Sequence, residues 1–286
     1  MNTTLPIAFQ GEFGAYSDLA ARNIFPNKQT LPCPVFEDVF AAVREGKSDY
    51  GVIPIDNLIA GRVADIHHLI PNASVHIIGE HFEPIEHRLW GAPGATLEGV
   101  REVRSHVHAL AQCKQYIANR GLTAHVVSDT AGAARELSQT KDLSVGAIAS
   151  PLAGELYGLV ELARNIADLQ DNVTRFLVIS RDALVPAAGA GPVITSIFFE
   201  LRSVPAALYK AIGGFATNSI NLAKLESYVG GGFQTAEFYI EAEAHPEETR
   251  MKLALEELRF FSEEVMLLGT YPAHAYRQKN LSATAA

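Results

Sequence analysis

Residues 166–176 read Ile-Ala-Asp-Leu-Gln-Asp-Asn-Val-Thr-Arg-Phe, and the apolar run Leu177-Val178-Ile179-Ser180 follows them directly. This pattern predicts a buried strand over residues 173–180, with the hydroxyl of Thr174 and the guanidinium of Arg175 at its mouth. A guanidinium can hold a carboxylate bidentately, and α/β proteins concentrate their chemistry where loops meet strands. Taken alone, the stretch slightly favours a plainer interpretation, in which Thr174 starts a strand and Arg175 makes a surface ion pair.

Outward from this stretch, short apolar runs alternate with helical patterns between residues 6 and 180. The alternation predicts a parallel or mixed sheet with helices on both faces, the α/β class. Two of the predicted helices span residues 59–70, with Val63, Ile66 and Ile70 facing inward, and residues 108–119.

The pattern of apolar residues changes after residue 182. Residues 183–192 are small and uncharged, which is typical of an interdomain linker. Beyond them the apolar patterns run in the order β-α-β-β-α-β, which is the ferredoxin-like arrangement. The tail after Tyr276 is expected to fray.

Composition and charge narrow the class of protein. The chain has 286 residues, 48% of them hydrophobic and 19% charged, and its formal net charge is −9 at pH 7. These values predict a compact globular protein and argue against a nucleic-acid or anionic-membrane partner, which favours a basic surface. A small anionic substrate stays compatible, because a few placed arginines suffice to bind it.

Cysteine and histidine spacing favours neither disulfides nor metal. Cys33 and Cys113 lie in unrelated contexts, and the ten histidines lack the spacing of a metal site. We therefore predict a reduced cytoplasmic protein with no metal and no cofactor. The sequence also shows no signal-peptide pattern and no apolar run long enough to span a membrane.

Two turns are candidate sites, each with a structural alternative. Gly11-x-x-Gly14 follows a strand and opens a helix, so its backbone could bind an anion, or it could be an ordinary β-α turn. Ser17 could cap that helix or bind a ligand. Asn57 ends a strand and could orient a polar substrate or form an Asx turn, and the two interpretations are about even.

Motifs across nearly the whole chain resemble those of the prephenate dehydratase family. The signature is Ile166-x-Asp168-x-x-x-Asn172-x-Thr174-Arg175-Phe176. The other matching motifs, in order, are Phe9-x-Gly11-x-x-Gly14-Ala15-Tyr16-Ser17, Val52-x-Pro54-Ile55-Asp56-Asn57, Ser105-His106-x-x-Ala109-Leu110-Ala111-Gln112-Cys113 and Ala149-Ser150-x-x-Ala153-x-x-x-Tyr157-Gly158-Leu159.

The resemblance implies a domain organisation. It implies a two-lobed catalytic unit like periplasmic binding proteins, followed by a ferredoxin-like ACT regulatory domain. We expect the catalytic domain at residues 1–182, with lobes at roughly 1–79 with 166–182 and at 80–165. The linker would span 183–193, the ACT domain 194–276 and the tail 277–286. The all-helical chorismate mutase domain of bifunctional relatives is expected to be missing.

The resemblance also implies an activity, the decarboxylating dehydration of prephenate to phenylpyruvate in phenylalanine biosynthesis, which is a lyase reaction. Thr174 would donate a hydrogen bond to the leaving hydroxyl, Arg175 would bind a carboxylate, and Asn57 would complete the catalytic group. The expected substrate-binding residues are Gly14, Ala15, Tyr16, Ser17, Ser105, Thr130 and Phe176.

Regulation by phenylalanine is the further implication, with the effector bound between ACT units of a homodimer or homotetramer. The expected effector-binding residues are Ala206, Ala207, Leu208, Asn221, Leu222, Glu226 and Ser227. The chain departs from the family pattern at several positions. Leu58 replaces a usual serine, His108 a common glutamine, Ala206 a glycine, and Tyr228-Val229 an Arg-Pro pair.

Two alternatives stay open at this stage. The chain could be an arogenate dehydratase, which performs the same chemistry on an amino acid and would be favoured by an added acidic group near the substrate's side chain. It could also be a non-catalytic amino-acid sensor, for which Leu58 leaves room.

Overall fold

The computed structural model describes residues 5–63, 66–229 and 236–277. The chain separates into two compact units, one of residues 1–63 with 81–176 and one of residues 64–80 with 177–286. The elements in chain order are β1 (Ile7–Gln10), α1 (Tyr16–Ile24), β2 (Thr30–Cys33), α2 (Phe36–Arg44), β3 (Tyr50–Asn57), β4 (Gly61–Arg62), α3 (Ile66–Leu69), β5 (His76–Pro84), β6 (Arg88–Gly91), β7 (Glu102–Ser105), α4 (Val107–Gln112), α5 (Lys114–Asn119), β8 (Thr123–Val126), α6 (Thr130–Thr140), β9 (Val145–Ala149), α7 (Pro151–Leu156), β10 (Val160–Ala163), β11 (Val173–Ser180), β12 (Val193–Leu201), α8 (Ala207–Thr217), β13 (Leu222–Val229), β14 (Ala236–Ala242), α9 (Thr249–Phe261) and β15 (Ser262–Pro272).

The first sheet has the order β2-β1-β3-β11-β5, and β4 pairs with β3. Strands β1, β2 and β3 run parallel, as expected for β-α-β units. The signature strand β11 lies between β3 and β5, inside the sheet, which explains why its residues are almost all buried. The outermost strand β2 contains Pro32, which an edge position tolerates.

The second sheet has the order β10-β6-β9-β7-β8 and is mixed, because β6 runs antiparallel to β9 and β10 while β7 runs parallel to β8 and β9. Small residues let its helices pack closely. Gly154 of α7 lies so near Trp90 that a Cβ there would be 2.2 Å from the indole ring. The predicted mixed α/β class is therefore confirmed for the described residues.

The third sheet belongs to the second compact unit. Its order is β13-β14-β12-β15 with antiparallel neighbours, and α8 and α9 supply the helices between the strands. Their apolar faces bury Phe199, Phe215 and Leu258 in one cluster. This is the β-α-β-β-α-β order that the sequence predicts. The boundaries at residues 182 and 194 stay predictions, since the compact units divide the chain at other positions.

Two helix predictions were wrong. Residues 59–70 do not form one helix: β4 and the short α3 occupy part of this range, and residues 64–65 lie outside the described chain. The side chain of Asn57 accepts from the backbone N–H groups of Ile59 and Ala60, and Gly61 adopts φ +81°, so a hairpin turn replaces the first helical turn. The predicted helix 108–119 breaks into α4 and α5 at Cys113, whose backbone is not helical.

A buried polar cluster joins the first and last segments of the second unit. The Arg277 guanidinium donates to both carboxylate oxygens of Glu80, at 2.7 and 2.8 Å, and to Glu241 at 2.7 Å. The side chains of Glu80 and Glu241 are completely buried. Nearby, Gly269 of β15 is required by close packing, because a Cβ there would lie 1.9 Å from the carbonyl oxygen of Ile77.

We expect Arg277→Met to lower the free energy of unfolding by about 3–5 kcal/mol, because it removes a cation that pairs with two buried carboxylates. Chemical denaturation of the whole chain measures this loss. Arg259→Met is the matched control at an exposed position, expected to stay within about 0.5 kcal/mol of the parent. A cost for Arg277→Met no greater than that of the control would contradict a stabilising role for the cluster.

Candidate active site

The Asn57 side chain, at the end of β3, makes hydrogen bonds at both ends of its amide. Its Oδ1 accepts from the backbone N–H groups of Ile59, at 3.0 Å, and Ala60, at 2.7 Å. These two donors fix which end of the amide is oxygen. Its Nδ2 must therefore face β11, where it donates to the Thr174 hydroxyl at 2.9 Å and to Asn172 Oδ1 at 2.8 Å. The Asx-turn and substrate-orienting interpretations of Asn57 are thus compatible in geometry.

This arrangement determines whether the Thr174 hydroxyl donates or accepts each of its hydrogen bonds. Since Oγ1 accepts from Asn57, its own hydrogen is available to donate to another acceptor. The side chain of Thr174 is 9% exposed, so the donor lies in a mostly water-excluded place. A hydroxyl fixed in this way can donate to an oxygen of a bound molecule without first reorienting.

Arg175 leaves the opposite face of β11, because successive residues of a strand alternate. Its side chain is buried, with Nη1 3.5 Å from Asp56 Oδ2 and the guanidinium 5.9 Å from the centre of the Phe82 ring. Asp56 and Asn57 alternate in the same way on β3. The prediction that Arg175 binds a substrate carboxylate stays a prediction, and the strand geometry means that it would act from the other face.

Two predicted substrate-binding residues lie inside the protein. Phe176 is 1% exposed and packs with Ile7 and Val52. Because it follows Thr174 by two residues, it lies on the same face of β11. Ser105 is fully buried, and its hydroxyl donates to the Ile148 carbonyl at 2.6 Å. Both positions support the sheets around the site, and direct contact with a substrate would require the core to open.

The loop before α1 is held against α7. The Ser150 hydroxyl donates to the Gly14 carbonyl at 2.5 Å, and the Tyr157 hydroxyl donates to the Phe13 carbonyl at 2.8 Å. Gly14 adopts φ +88°, and a Cβ there would lie 2.7 Å from Ala153 Cα. A side chain at residue 14 would therefore be both strained and obstructed.

The remaining predicted residues of the first unit lie near this loop and near α6. Ala15 packs against the core cluster that contains Trp90 and Ala153, and Ser17 is 8% exposed on α1. Thr130 is the first residue of α6, whose N-cap, Asp129, accepts from the Gly132 N–H.

Tyr16 ends a chain of polar contacts that leads to Thr174. Its hydroxyl lies 2.8 Å from the Glu86 carbonyl and 3.0 Å from Nδ1 of His87. Burial, followed by the nearby Cys113 and Glu86, raises the pKa of Tyr16 well above its usual value, so the phenol stays protonated. Burial lowers the pKa of His87, which favours the neutral ring.

Gln112 and Asn172 connect His87 with Asn57. The Gln112 side-chain oxygen lies 2.8 Å from His87 Nε2 and accepts from Asn172 Nδ2 at 2.9 Å. Neither residue, nor His87, was among the predicted site residues, although Gln112 and Asn172 stand in quoted motifs. The alternation along β11 could have indicated Asn172, since it lies two residues before Thr174.

Two open cavities lie in the same unit as these groups. One, of about 500 Å³, is lined by the Gln10–Phe13 turn, by Pro32–Pro34 and by Ser128 and Asp129. The other, of about 310 Å³, lies beside the Asn57 turn, and its lining is mainly apolar, from Ile59, Ala60, His108, Ala111, Gln112, Asp168 and Leu169. Leu58, which replaces the expected serine, is 66% exposed.

Neither thiol is arranged for covalent chemistry. Cys113 is buried, and burial, followed by Asp168, raises its pKa to about 12, so it stays protonated at neutral pH. Within the described part of the chain, no group of three or more His, Cys, Asp or Glu residues is placed to hold a metal ion. In the same residues, no helix is long and apolar enough to cross a membrane.

The predicted effector residues lie on two segments of the second unit. Ala206, Ala207 and Leu208 line an open cavity of about 590 Å³ together with residues 201–205, Tyr209, Ala236 and Phe238. Ala206 adopts φ +60°, a conformation that a glycine would hold without strain. Leu222, Glu226 and Ser227 lie on β13, the end strand of the sheet, and the Asn221 carbonyl accepts from the Glu243 N–H at 3.0 Å.

Comparison with known proteins agrees with the motif pattern. The family model for prephenate dehydratase matches residues 7–184. A bifunctional N-acyl-homoserine lactone acylase/prephenate dehydratase of Komagataeibacter europaeus is 45% identical, covering 98% of this chain and 100% of that one. An arogenate dehydratase/prephenate dehydratase of Arabidopsis thaliana is 40% identical, over 95% of this chain and 73% of that protein.

Solved structures agree with this assignment. A protein described as a novel type of quorum-quenching acylase superposes with a TM-score of 0.90 at 45% identity, covering 95% of this chain and 99% of that one. The prephenate dehydratase of Arthrobacter aurescens in complex with L-Phe superposes with a TM-score of 0.86 at 27% identity, covering 98% of this chain and 99% of that one. The family model and these relatives, together with the motif residues Asn57 of β3 and Thr174 of β11 that are hydrogen-bonded to each other, show that the chain belongs to the prephenate dehydratase family.

Proposed function

We propose that this chain converts prephenate and a proton to phenylpyruvate, carbon dioxide and water. The observation that carries the proposal is the Thr174 hydroxyl, which Asn57 holds at 2.9 Å so that its hydrogen can be donated. The ring carbon–oxygen bond and the carbon–carboxylate bond break in the same molecule, and the electron pair left by the carboxylate completes the aromatic ring. The departing hydroxyl takes up the proton and leaves as water.

In this proposal Thr174 donates a hydrogen bond to the departing hydroxyl. Charge develops on that oxygen only as its bond to the ring breaks, so the bond to Thr174 strengthens in the transition state. A threonine hydroxyl is a weak acid, so solvent or another group supplies the proton itself. Arg175 would bind the side-chain carboxylate, which stays in the product.

A direct test is incubation of the whole chain with prephenate, followed by chromatography for phenylpyruvate. Arogenate is offered in parallel, with phenylalanine as the product to be measured. Turnover of prephenate supports the proposal, and turnover of arogenate alone would replace it with the arogenate dehydratase alternative. Turnover of neither would favour the non-catalytic sensor.

A second candidate activity is hydrolysis of N-acyl-homoserine lactones, which the name of the 45% identical relative states for that protein. The cavity of about 310 Å³ beside the Asn57 turn favours it, because the exposed Ile59 and Leu169 give it apolar walls suited to an acyl chain. Water would add to the amide, releasing a fatty acid and homoserine lactone. Incubation with lactones of several chain lengths tests it, and absence of both products would exclude it.

We further propose that the β-α-β-β-α-β unit is an ACT domain that binds L-phenylalanine and pairs with another copy in a homodimer or homotetramer. The cavity at Ala206–Leu208 and the end strand β13, which offers a sheet edge, support this.

We propose that the catalytic unit resembles periplasmic binding proteins, with two lobes around a cleft. The two buried free thiols fit a reducing compartment, the cytoplasm.

We expect Thr174→Ala to lower kcat about a hundredfold or more, because one transition-state donor is lost. Thr174→Ser keeps the hydroxyl and should retain much more activity. Steady-state kinetics with prephenate, on variants shown to be folded by circular dichroism, measure both. A Thr174→Ala enzyme with near-parental kcat would exclude the assigned role.

Arg175→Lys is expected to raise KM substantially. Lysine keeps the charge but lacks the planar fork that holds a carboxylate bidentately. Arg181→Lys is the matched control at an exposed position just after β11. If Arg175→Lys leaves the kinetics unchanged, Arg175 does not bind the substrate, and its contacts, such as those with Asp56 and Phe82, are structural.

Phenylalanine is expected to bind the whole chain and to lower its activity, and Ala206→Gly should tighten that binding. The substitution removes a methyl group from the cavity and relieves the strain of φ +60°. Isothermal titration calorimetry measures the affinity, with Ala216→Gly on the same helix as the control. Absence of heat at millimolar phenylalanine in parent and Ala206→Gly alike would reduce the domain to an assembly module.

A further inference from the structure

Gln112 occupies a position where only an acceptor fits. Its side-chain oxygen accepts from Asn172 Nδ2 at 2.9 Å and lies 2.8 Å from His87 Nε2. Because an amide oxygen can only accept, this contact is a hydrogen bond when the ring hydrogen of His87 is on Nε2. His87 is 3% exposed and Asn172 is 2% exposed, so water cannot readily replace a lost partner at either residue. An unsatisfied buried donor is costly, which makes this shared oxygen a strong constraint.

The constraint at Gln112 sets the orientation of the Asn172 amide. With Nδ2 directed to Gln112, Oδ1 must face Asn57, whose Nδ2 it accepts at 2.8 Å. A flipped Asn172 would place its NH2 group against that of Asn57 and its oxygen against that of Gln112. Both contacts would be repulsive, so the acceptor at residue 112 holds a single arrangement.

The orientation of the Asn172 amide affects Thr174 through Asn57. Asn57 Nδ2 divides its two hydrogens between Asn172 and Thr174, and the backbone N–H groups of Ile59 and Ala60 hold its oxygen. Loss of the Asn172 acceptor would leave one of these hydrogens without a partner, and the NH2 group could then tilt away from Thr174 while the oxygen stays bonded to the turn. The Thr174 hydroxyl would then lose the donor that directs its hydrogen toward the substrate.

We propose that Gln112 is a positioning residue for the dehydratase reaction, acting through Asn172 and Asn57 on the direction of the Thr174 hydroxyl. This inference rests on the proposed function, since it assigns Gln112 to the same site. Gln112 contacts none of the reacting groups in this role. It is the first of three hydrogen-bonded side-chain amides, followed by Asn172 and Asn57, and its oxygen also contacts His87 Nε2.

The test compares Gln112→Leu, which removes the acceptor, with Gln112→Glu, which keeps it. An ionised carboxylate offers two acceptor oxygens, so it can receive both His87 and Asn172. Gln115→Leu is the matched control, since this exposed side chain lies three residues further along the chain. All three variants and the parent are assayed with prephenate well below their unfolding temperatures.

We expect Gln112→Leu to lower kcat about 10- to 100-fold while KM changes by less than about threefold, because the Thr174 bond acts in the transition state. Gln112→Glu should restore kcat to within about fivefold of the parent. The side-chain amide signals of Asn57 and Asn172 in a 15N–1H NMR spectrum should move in Gln112→Leu and stay near their parental positions in Gln112→Glu. If Gln112→Leu does not fold, Gln112→Met repeats the comparison.

The inference is overturned if the acceptor-deleting variant keeps kcat within about twofold of the parent, if Gln112→Glu is equally slow, or if only KM changes. A drop in kcat without movement of the Asn57 signal would also overturn it, because the effect would then bypass Asn57. These results leave the proposed function intact, provided that the parent converts prephenate. A parent that converts neither prephenate nor arogenate overturns both.

Discussion

The orientation of the Asn57 amide is the constraint on which the site depends. Two backbone N–H groups hold its oxygen, so its nitrogen must donate toward β11. The same turn ends β3, starts the hairpin to β4 and sets the direction of the Thr174 hydroxyl. A local Asx turn therefore has two effects: it shapes the backbone, and it fixes the direction of the hydrogen bond from Asn57 to Thr174.

The groups around Thr174 are mostly neutral, and this suits the proposed chemistry. A hydroxyl, three amides, a neutral imidazole and a phenol form the chain from Thr174 to Tyr16. A cation beside the departing carboxylate would stabilise the substrate as much as the transition state and so would gain little in rate. Oriented dipoles avoid this, since they respond most to charge that appears on the leaving oxygen. The guanidinium of Arg175, the next residue, lies on the opposite face of the strand.

The sequence predicted strand β11 with its bounds, because an uninterrupted apolar run has only one stable place, inside a sheet. It failed over residues 59–70, where a helical spacing of apolar residues competed with side-chain bonds from Asn57 that close a turn. His87 and Gln112 could not be paired from sequence, because the sheets bring together residues that are 25 positions apart. The opposite faces of Thr174 and Arg175, in contrast, follow from strand alternation and were predictable.

Strand β5 is held by different side-chain contacts at its two ends. At the start of β5, Ile77 meets the close approach of Gly269, and Glu80 is held by Arg277, whose guanidinium also binds Glu241 of β14. Two residues beyond Glu80 on the same strand, Phe82 contacts the guanidinium of Arg175. Side-chain contacts therefore fix β5 at both ends, in addition to the hydrogen bonds of its sheet.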